Sequence, residues 1–344
     1  MIFDKTSLNL TIQQQWSPWH ERLQGQIVAN KSFLPYGANV LLAISGGQDS
    51  MALARLLCDL QRIYNWKLHL WHGNHRWRSD SDQVARELEK WAYKEQLYFC
   101  SNLPNRLLCS ESLARRWRYE CLIDQSKQLG CHHIITAHTG SDRAETLLLN
   151  IARGSDRHGI ASLPTSRKLG YLKNINLVRP LLNFSRRDTA AICQQWKLPI
   201  WHDTTNENLS FSRNRIRYHV LPVLEDLHPG ANLRISSLSS RLQEENQILL
   251  ELIPLAIKSL QESNDCHQLL RFELVSLSKC SQRHILYQWI LVECHRTIKT
   301  AVLERLIWRL PLDQGPGKLD LAGGWFLAWD RKYLRLDNQY KSKD

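Results

Sequence analysis

A doubly wound parallel α/β sheet followed by a smaller mixed α/β part is the fold this sequence predicts, and three observations predict it. The apolar run Asn39-Val40-Leu41-Leu42-Ala43-Ile44 reads as a strand buried on both faces. It leads directly into Ser45-Gly46-Gly47-Gln48-Asp49-Ser50, after which Leu53, Leu56, Leu57, Leu60, Ile63 and Tyr64 fall on one face at helical spacing. Strand and helix patterns then keep alternating through the first half of the chain, the order from which parallel sheets are built.

Taken in order, Lys67–His72 is a short alternating strand, and Ser79-Asp80-Ser81-Asp82 supplies capping residues for a helix carrying Val84, Leu88, Trp91 and Ala92. A third helix is expected over Glu111–Gln128, stopped by Gly130. Ile134-Ile135-Thr136 gives the next strand and Asp142–Ala152 the next helix. From Arg179 to Asp203 a strand, a Ser185-capped helix and an extended piece close the domain. Pro222 and the His228-Pro229-Gly230 turn interrupt the chain before a long helix over about Ala231–Ser263. Helical patterns at His284–Glu293 and Val302–Leu310, then strands at Leu319–Leu321 and Trp325–Leu336, make up the remainder. This divides the chain into a catalytic domain (1–222), a helical linker (223–263) and a C-terminal domain (264–344) joined by the long helix. Ligands of doubly wound sheets bind beyond the carboxyl ends of the strands, where Ser45–Ser50, His72–Arg78 and His138–Glu145 all fall.

The turn after the first strand has the chemistry of an anion site. Gly46 and Gly47 let the backbone approach a phosphate, Ser45 and Ser50 add hydroxyls, and a helix N-terminus supplies N–H groups. Asp49 is at odds with a pure anion site unless a cation such as Mg²⁺ sits between carboxylate and phosphate. No Gly-Lys-Ser/Thr follows the glycines, and the third glycine of a dinucleotide fingerprint is missing.

Bulk properties narrow the class. With 344 residues, 43% hydrophobic and 23% charged, the chain has the composition of a soluble globular protein with room for two domains. No apolar run of membrane-spanning length and no secretory signal pattern occurs, so a cytoplasmic location is expected, or an organelle stroma for an organelle-encoded copy. Nine cysteines without a C-x-x-C pair read as reduced thiols. A net charge of +12 points to a polyanionic partner, nucleic acid being the usual one. Oligomeric state is not fixed by the sequence, and a homodimer stays open.

Four further stretches carry polar chemistry. His72-Gly73-Asn74-His75-Arg76-Trp77-Arg78 crowds hydrogen-bonding groups at a strand end, and Arg115 and Arg118 lie one turn apart on a helix face. His138, Asp142 and Glu145 sit where a strand feeds a helix, a setting in which Asp142 caps the helix with Glu145 at its third position. Arg213, Arg215 and Arg217, with Phe211 and Tyr218 nearby, interleave basic and aromatic groups in a way that suits an RNA backbone and an unstacked base.

The hexapeptide Ser45–Ser50 resembles the SGGxDS pyrophosphate loop of the N-type ATP pyrophosphatases, the PP-loop superfamily, which cleave ATP between the α and β phosphates and activate an oxygen as an adenylate. Over residues 40–225 the stretches together resemble one family, the tRNA(Ile)-lysidine synthetases. The likeness runs through His72, Asn74, His75 and Arg78; Ala114, Arg115, Arg118 and Tyr119; Ala137, His138, Asp142, Glu145 and Thr146; Arg179 to Leu182; Asp203 with Asn206; and Arg213 through Arg217 to Pro222. Thr139 and Ser141 depart from the family pattern, where a second His and an Asp often stand, which leaves Asp49 and Asp142 to hold Mg²⁺. The resemblance implies adenylation of the wobble cytidine of a CAU-anticodon isoleucine tRNA by ATP, then attack by free L-lysine to give lysidine. It implies that Ser45, Gly46, Gly47, Gln48, Asp49 and Ser50 bind ATP, and that Asp49, Asp142, His138 and Glu145 serve the reacting centre. His75, Arg78, Arg115, Arg118, Arg213 and Arg217 would contact the tRNA. A thiolating relative of the same superfamily and an inactive RNA-binding relative remain the alternatives.

Overall fold

Residues 16–30, 33–77, 79–106, 109–169, 174–201, 209–262 and 265–339 are described in the computed structural model; Arg78, Asp203 and Asn206 lie outside them. The chain divides into two compact units, one up to Gln243 and one from Glu244.

In the first unit, β1 (Asn39–Ala43) takes the middle of a six-stranded sheet with β2 (Lys67–Gly73), β3 (Tyr98–Asn102), β4 (His133–Ile135), β5 (Ser166–Leu169) and β6 (Ile175–Val178). Their order is β3-β2-β1-β4-β6-β5, parallel except for the antiparallel edge strand β5. The period of two along β1 explains why it reads as uniformly apolar. Val40 and Leu42 enter one core with Met51, Leu53, Leu57, Leu88 and Phe184, while Leu41 enters the opposite core with Trp71, Leu122, Ile134 and Leu177.

Helices α1 (Pro18–Ala29), α2 (Gln48–Tyr64), α3 (Ser81–Lys94), α4 (Glu111–Gln128), α5 (Gly140–Ala152), α6 (Arg157–Ile160) and α7 (Arg186–Gln195) accompany these strands. Gly130, at φ +63°, follows the end of α4 as expected. Two boundaries differ from the sequence reading. Helix α5 begins at Gly140 rather than Asp142, because Thr139 is the capping residue: its Oγ1 accepts from Asp142 N at 3.3 Å, and Asp142 Oδ2 accepts from Thr139 N at 2.8 Å. The strand expected from Arg179 does not form there, since β6 ends at Val178, and Ser185 caps α7 in a second capping box with Asp188. Strands β3, β5 and β6 are absent from the sequence reading.

Strand order reverses at β1, since β2 lies on one side of it and β4 on the other. The loops leaving β1 and β4 therefore open a crevice at the topological switch point. After α7 come α8 (Ser212–Arg215), a π-helical turn at Ile216–Val220, α9 (Leu221–Leu227) and the long α10 (Ala231–Ser259). The first turns of α10 are tied to the sheet domain: Ser236 Oγ donates to Leu182 O at 3.1 Å and Ser239 Oγ to Ser162 O at 2.8 Å. Fully buried Arg143 donates to Leu163 O, Ser236 O and Ser240 Oγ.

The second unit adds β7 (Gln268–Leu270), α11 (Arg271–Ser276), α12 (Lys279–Cys294), α13 (Thr300–Arg309), β8 (Gly317–Asp320), β9 (Trp325–Trp329) and β10 (Tyr333–Asn338). Its sheet is antiparallel in the order β7-β10-β9-β8. Arg271 is buried there and donates to four backbone carbonyls, those of Leu310, Asp330, Pro311 and Gln314. Among the described residues no helix is long and apolar enough to cross a membrane.

Candidate active site

The Ser45–Ser50 loop is held in shape by its own hydroxyls. Ser50 Oγ donates to Gly47 O at 2.9 Å and accepts from Ser45 N at 3.2 Å, while Gly47 N donates to Ser45 Oγ at 3.3 Å. Gly46 has φ +81°, and a Cβ there would lie 3.0 Å from Trp201 Cε3 and 3.3 Å from Val84 Cγ1. Gly46→Ala is therefore expected to strain the loop by about 1–2 kcal/mol and to weaken anion binding there several-fold, measured by titration with inorganic pyrophosphate. Gln48 turns its amide away from the loop, donating to Arg186 O at 2.8 Å and Thr189 Oγ1 at 2.7 Å. Its contribution to an anion site is thus its place in the first turn of α2.

Three carboxylates and three guanidiniums meet beside this loop. Asp49 Oδ1 accepts from Thr189 Oγ1 at 2.5 Å, and its Oδ2 lies 3.5 Å from Arg186 Nη2. Burial raises the Asp49 carboxyl above its ordinary value, and the negative charge of Asp142 adds to the rise against the pull of Arg186. Asp142 gives Oδ2 to the cap of α5 and turns Oδ1 to Arg186 Nη2 (3.2 Å), Arg213 Nη2 (2.9 Å) and Arg217 Nη2 (3.6 Å). Burial opposes its ionisation, but Arg186 and Arg213 outweigh it and hold the carboxyl well below the usual range. Glu145, with no solvent exposure, accepts from Arg213 Nε at 2.6 Å and from Arg217 Nε and Nη2 at 2.7 and 3.0 Å. The π-helical turn follows directly on Arg213 and Arg215 and contains Arg217, so both site arginines flank or occupy it. Such turns are rare and recur at functional sites.

Sequence reasoning places Asp49, Asp142 and Glu145 together, and the structure brings them together. It assigns Arg213 and Arg217 to RNA, whereas here their guanidiniums face the acids. Arg186 and Thr189 escape it, since they lie 44 residues or more along the chain from the acids they touch and no local spacing betrays them. Of the other basic residues, Arg118 Nη2 meets His75 Nε2 at 3.2 Å, with the His75 ring packed 4.9 Å from Trp117 and 5.4 Å from Trp77. Arg115 is exposed and lies over the Tyr119 ring at 5.3 Å. His72 ties β2 to the loop entrance through Nδ1 and Ile44 O at 2.9 Å.

His138 pairs Nδ1 with Thr136 Oγ1 at 3.0 Å; burial pushes its imidazole down to about 3, with Asp142 opposing and Arg179 and Arg213 adding to the fall. It is neutral at physiological pH. Unfolding restores a value near 6.5, so below pH 6.5 the unfolded chain binds a proton that the folded chain refuses. Stability is expected to fall between pH 6.5 and about 3 on this account. His138→Gln should flatten that limb of the denaturant-midpoint profile, leaving values above pH 7 unaltered in slope.

Sequence comparison gives this geometry its family. A profile of the PP-loop domain matches residues 20–224. A tRNA(Ile)-lysidine synthase of Prochlorococcus marinus is 40% identical over 335 residues, spanning 95% of this chain and 98% of that protein. That of Parasynechococcus marenigrum is 43% identical over 324 residues, spanning 93% and 95%. The chain belongs to the tRNA(Ile)-lysidine synthase family. As a member it carries an ATP-binding PP-loop domain, and the sheet order agrees with that fold. A U34-tRNA thiolase from Methanococcus maripaludis superposes with a TM-score of 0.56 at 16% identity, covering 65% of this chain and 77% of that one, which shows the shared fold.

Thr139 and Ser141, the two positions that the sequence resemblance sets apart, both make hydrogen bonds. Thr139 is the α5 cap, and Ser141 Oγ accepts from Arg186 N at 3.4 Å. The donor set of Asp49 and Asp142 fits a divalent cation: both are hard carboxylate oxygens, and one guanidinium nitrogen already lies within 3.5 Å of each.

Proposed function

We infer that the chain ligates free L-lysine to carbon-2 of the wobble cytidine in a CAU-anticodon isoleucine tRNA, with one ATP cleaved to AMP and pyrophosphate. One observation carries the reading: the Ser45–Ser50 loop meets buried Asp142 and Glu145 at the switch point, in a chain whose likeness to tRNA(Ile)-lysidine synthases runs nearly end to end.

The loop amides and the Ser45 and Ser50 hydroxyls hold the phosphates of ATP, with Gly46 admitting their close approach. Asp49 and Asp142 would hold Mg²⁺, which when bound offsets phosphate charge. The carbon-2 oxygen of cytidine bonds the α-phosphorus and pyrophosphate departs; the lysine amine then bonds carbon-2, and AMP leaves with that oxygen. Neutral His138 offers a hydrogen bond to the base and no charge. Glu145 accepts three guanidinium N–H groups, and a lysine ammonium can replace one of them without leaving the carboxylate unpaired. Arg115, Arg118 and the cluster around His75 would meet the anticodon loop.

In the C-terminal unit, Trp308 and Phe272 are 76% and 61% exposed, and residues 264–344 are assigned to tRNA recognition through such stacking faces beside basic groups. Cytoplasmic or stromal location follows from the substrate. Thiolation is disfavoured by the cysteine that touches the loop: Cys193 Sγ lies 3.3 Å from Gln48 O, and burial pushes its thiol up to about 11, far from a nucleophilic thiolate.

Labelled lysine, ATP, Mg²⁺ and an isoleucine tRNA transcript test the proposal. Label should enter the RNA only with ATP and should not enter a methionine tRNA. AMP production that requires a sulfur donor instead would move the chain to the thiolating alternative.

A further inference from the structure

Arg186 occupies a position that its surroundings do not fully use. One guanidinium nitrogen, Nη2, lies 3.5 Å from Asp49 Oδ2 and 3.2 Å from Asp142 Oδ1, so a single cation spans the two acids. The Nε of the same group is buried without a hydrogen-bond partner among the described residues. Its backbone, by contrast, is fastened on both sides. Arg186 O accepts from the Gln48 amide at 2.8 Å, and Arg186 N donates to Ser141 Oγ at 3.4 Å. The loop and α5 therefore fix where the residue starts, while the side chain beyond is 39% exposed. A guanidinium between two carboxylates satisfies their charge but leaves its own fork incompletely bonded, and that fork matches phosphate oxygens.

We propose that Arg186 is a placeholder cation that holds the Asp49–Asp142 pair before nucleotide binds, yields the pair to Mg²⁺, and then binds the departing pyrophosphate. The inference rests on the adenylation reading above. As the carbon-2 oxygen bonds the α-phosphorus, the bond from that phosphorus to its bridging oxygen breaks and the electron pair goes to pyrophosphate. Arg186 keeps all its protons and stabilises that charge by donating N–H groups, which assigns it a role in catalysis separate from the acids it touches. Gln48 becomes a positioning residue, since its amide links the loop to the Arg186 backbone.

Two readouts on the full chain test this, one of them independent of turnover. Free Mn²⁺ followed by electron paramagnetic resonance, without nucleotide, measures competition for the acid pair. Arg186→Gln should bind Mn²⁺ about tenfold more tightly than the wild type, because a competing positive charge has gone. AMP formation by the same variant at saturating substrates should fall by about 10²-fold or more, the cost of losing one preorganised donor. Arg186→Lys should keep wild-type Mn²⁺ affinity and recover part of the turnover, and it carries the test if Arg186→Gln folds poorly. Unchanged or weaker Mn²⁺ binding in Arg186→Gln, or wild-type turnover in that variant, would overturn the proposal. A wild-type chain that forms no AMP with any tRNA would count against the adenylation reading instead, and the Mn²⁺ comparison would still decide the placeholder.

Discussion

Asp142→Asn is expected to abolish AMP formation, by at least about 10³-fold, while the chain stays folded. The two oxygens of Asp142 have separate tasks. Oδ2 accepts from Thr139 N at 2.8 Å and closes the capping box of α5. Oδ1 faces Arg186, Arg213 and Arg217 and is the oxygen proposed above to meet Mg²⁺. Asparagine keeps an acceptor for the cap but sets an N–H₂ group against the cations, or flips and loses the cap. The same capping-box position on α7 supplies an internal control. Asp188 Oδ2 accepts from Ser185 N at 2.7 Å and its Oδ1 pairs with Arg22 at 2.8 Å. Asp188→Asn should cost about 1 kcal/mol of stability and leave turnover intact. Steady-state AMP release and denaturant midpoints on the two variants separate capping from chemistry, and equal turnover in both would remove Asp142 from the reacting centre.

Glu145→Ala carries the largest expected effect on stability. Its carboxylate has no solvent exposure and receives N–H groups from both Arg213 and Arg217, whose side chains are 31% and 12% exposed. Removing the anion leaves both guanidiniums with Asp142 Oδ1, already shared with Arg186, as the carboxylate oxygen they face. Breaking such a buried pair from one side costs about 3–5 kcal/mol. For a unit of this size that corresponds to a fall of roughly 10 °C in Tm. Glu145→Gln, which retains an acceptor, should lose about half as much. Adding Arg217→Met to Glu145→Ala should restore part of the loss, because an excess positive charge goes with it, and a double-mutant cycle read by calorimetry measures that coupling. Additive losses would show that the pair is not the source of the stability.

The difference between legible and hidden features follows the range of the forces involved. The Ser45–Ser50 loop is legible because strand, turn and helix are local patterns, and because only a residue without Cβ suits φ +81° against Trp201. Asp142 and Glu145 are legible as a pair because they lie three positions apart on one helix. The strand β6 is not, since Ile175-Asn176-Leu177-Val178 is four residues long and its partner β5 carries Ser-Arg-Lys. Arg213 and Arg217 illustrate the deeper limit. Interleaved with Phe211 and Tyr218 they have the composition of an RNA contact, yet their guanidiniums bind Glu145, 68 and 72 residues away. Charge neutralisation across that distance leaves no trace in spacing. Arg186 stays hidden for the same reason, being merely the residue after a helix cap until the fold sets it between Asp49 and Asp142.

Adenylation of an RNA base in this crevice should precede attack by lysine. ATP labelled in its α-phosphate, incubated with the protein, Mg²⁺ and isoleucine tRNA but no lysine, tests it most directly. Label should be retained on the tRNA and released as AMP when lysine is added. Label that never enters the RNA, while lysine is still incorporated, would contradict it.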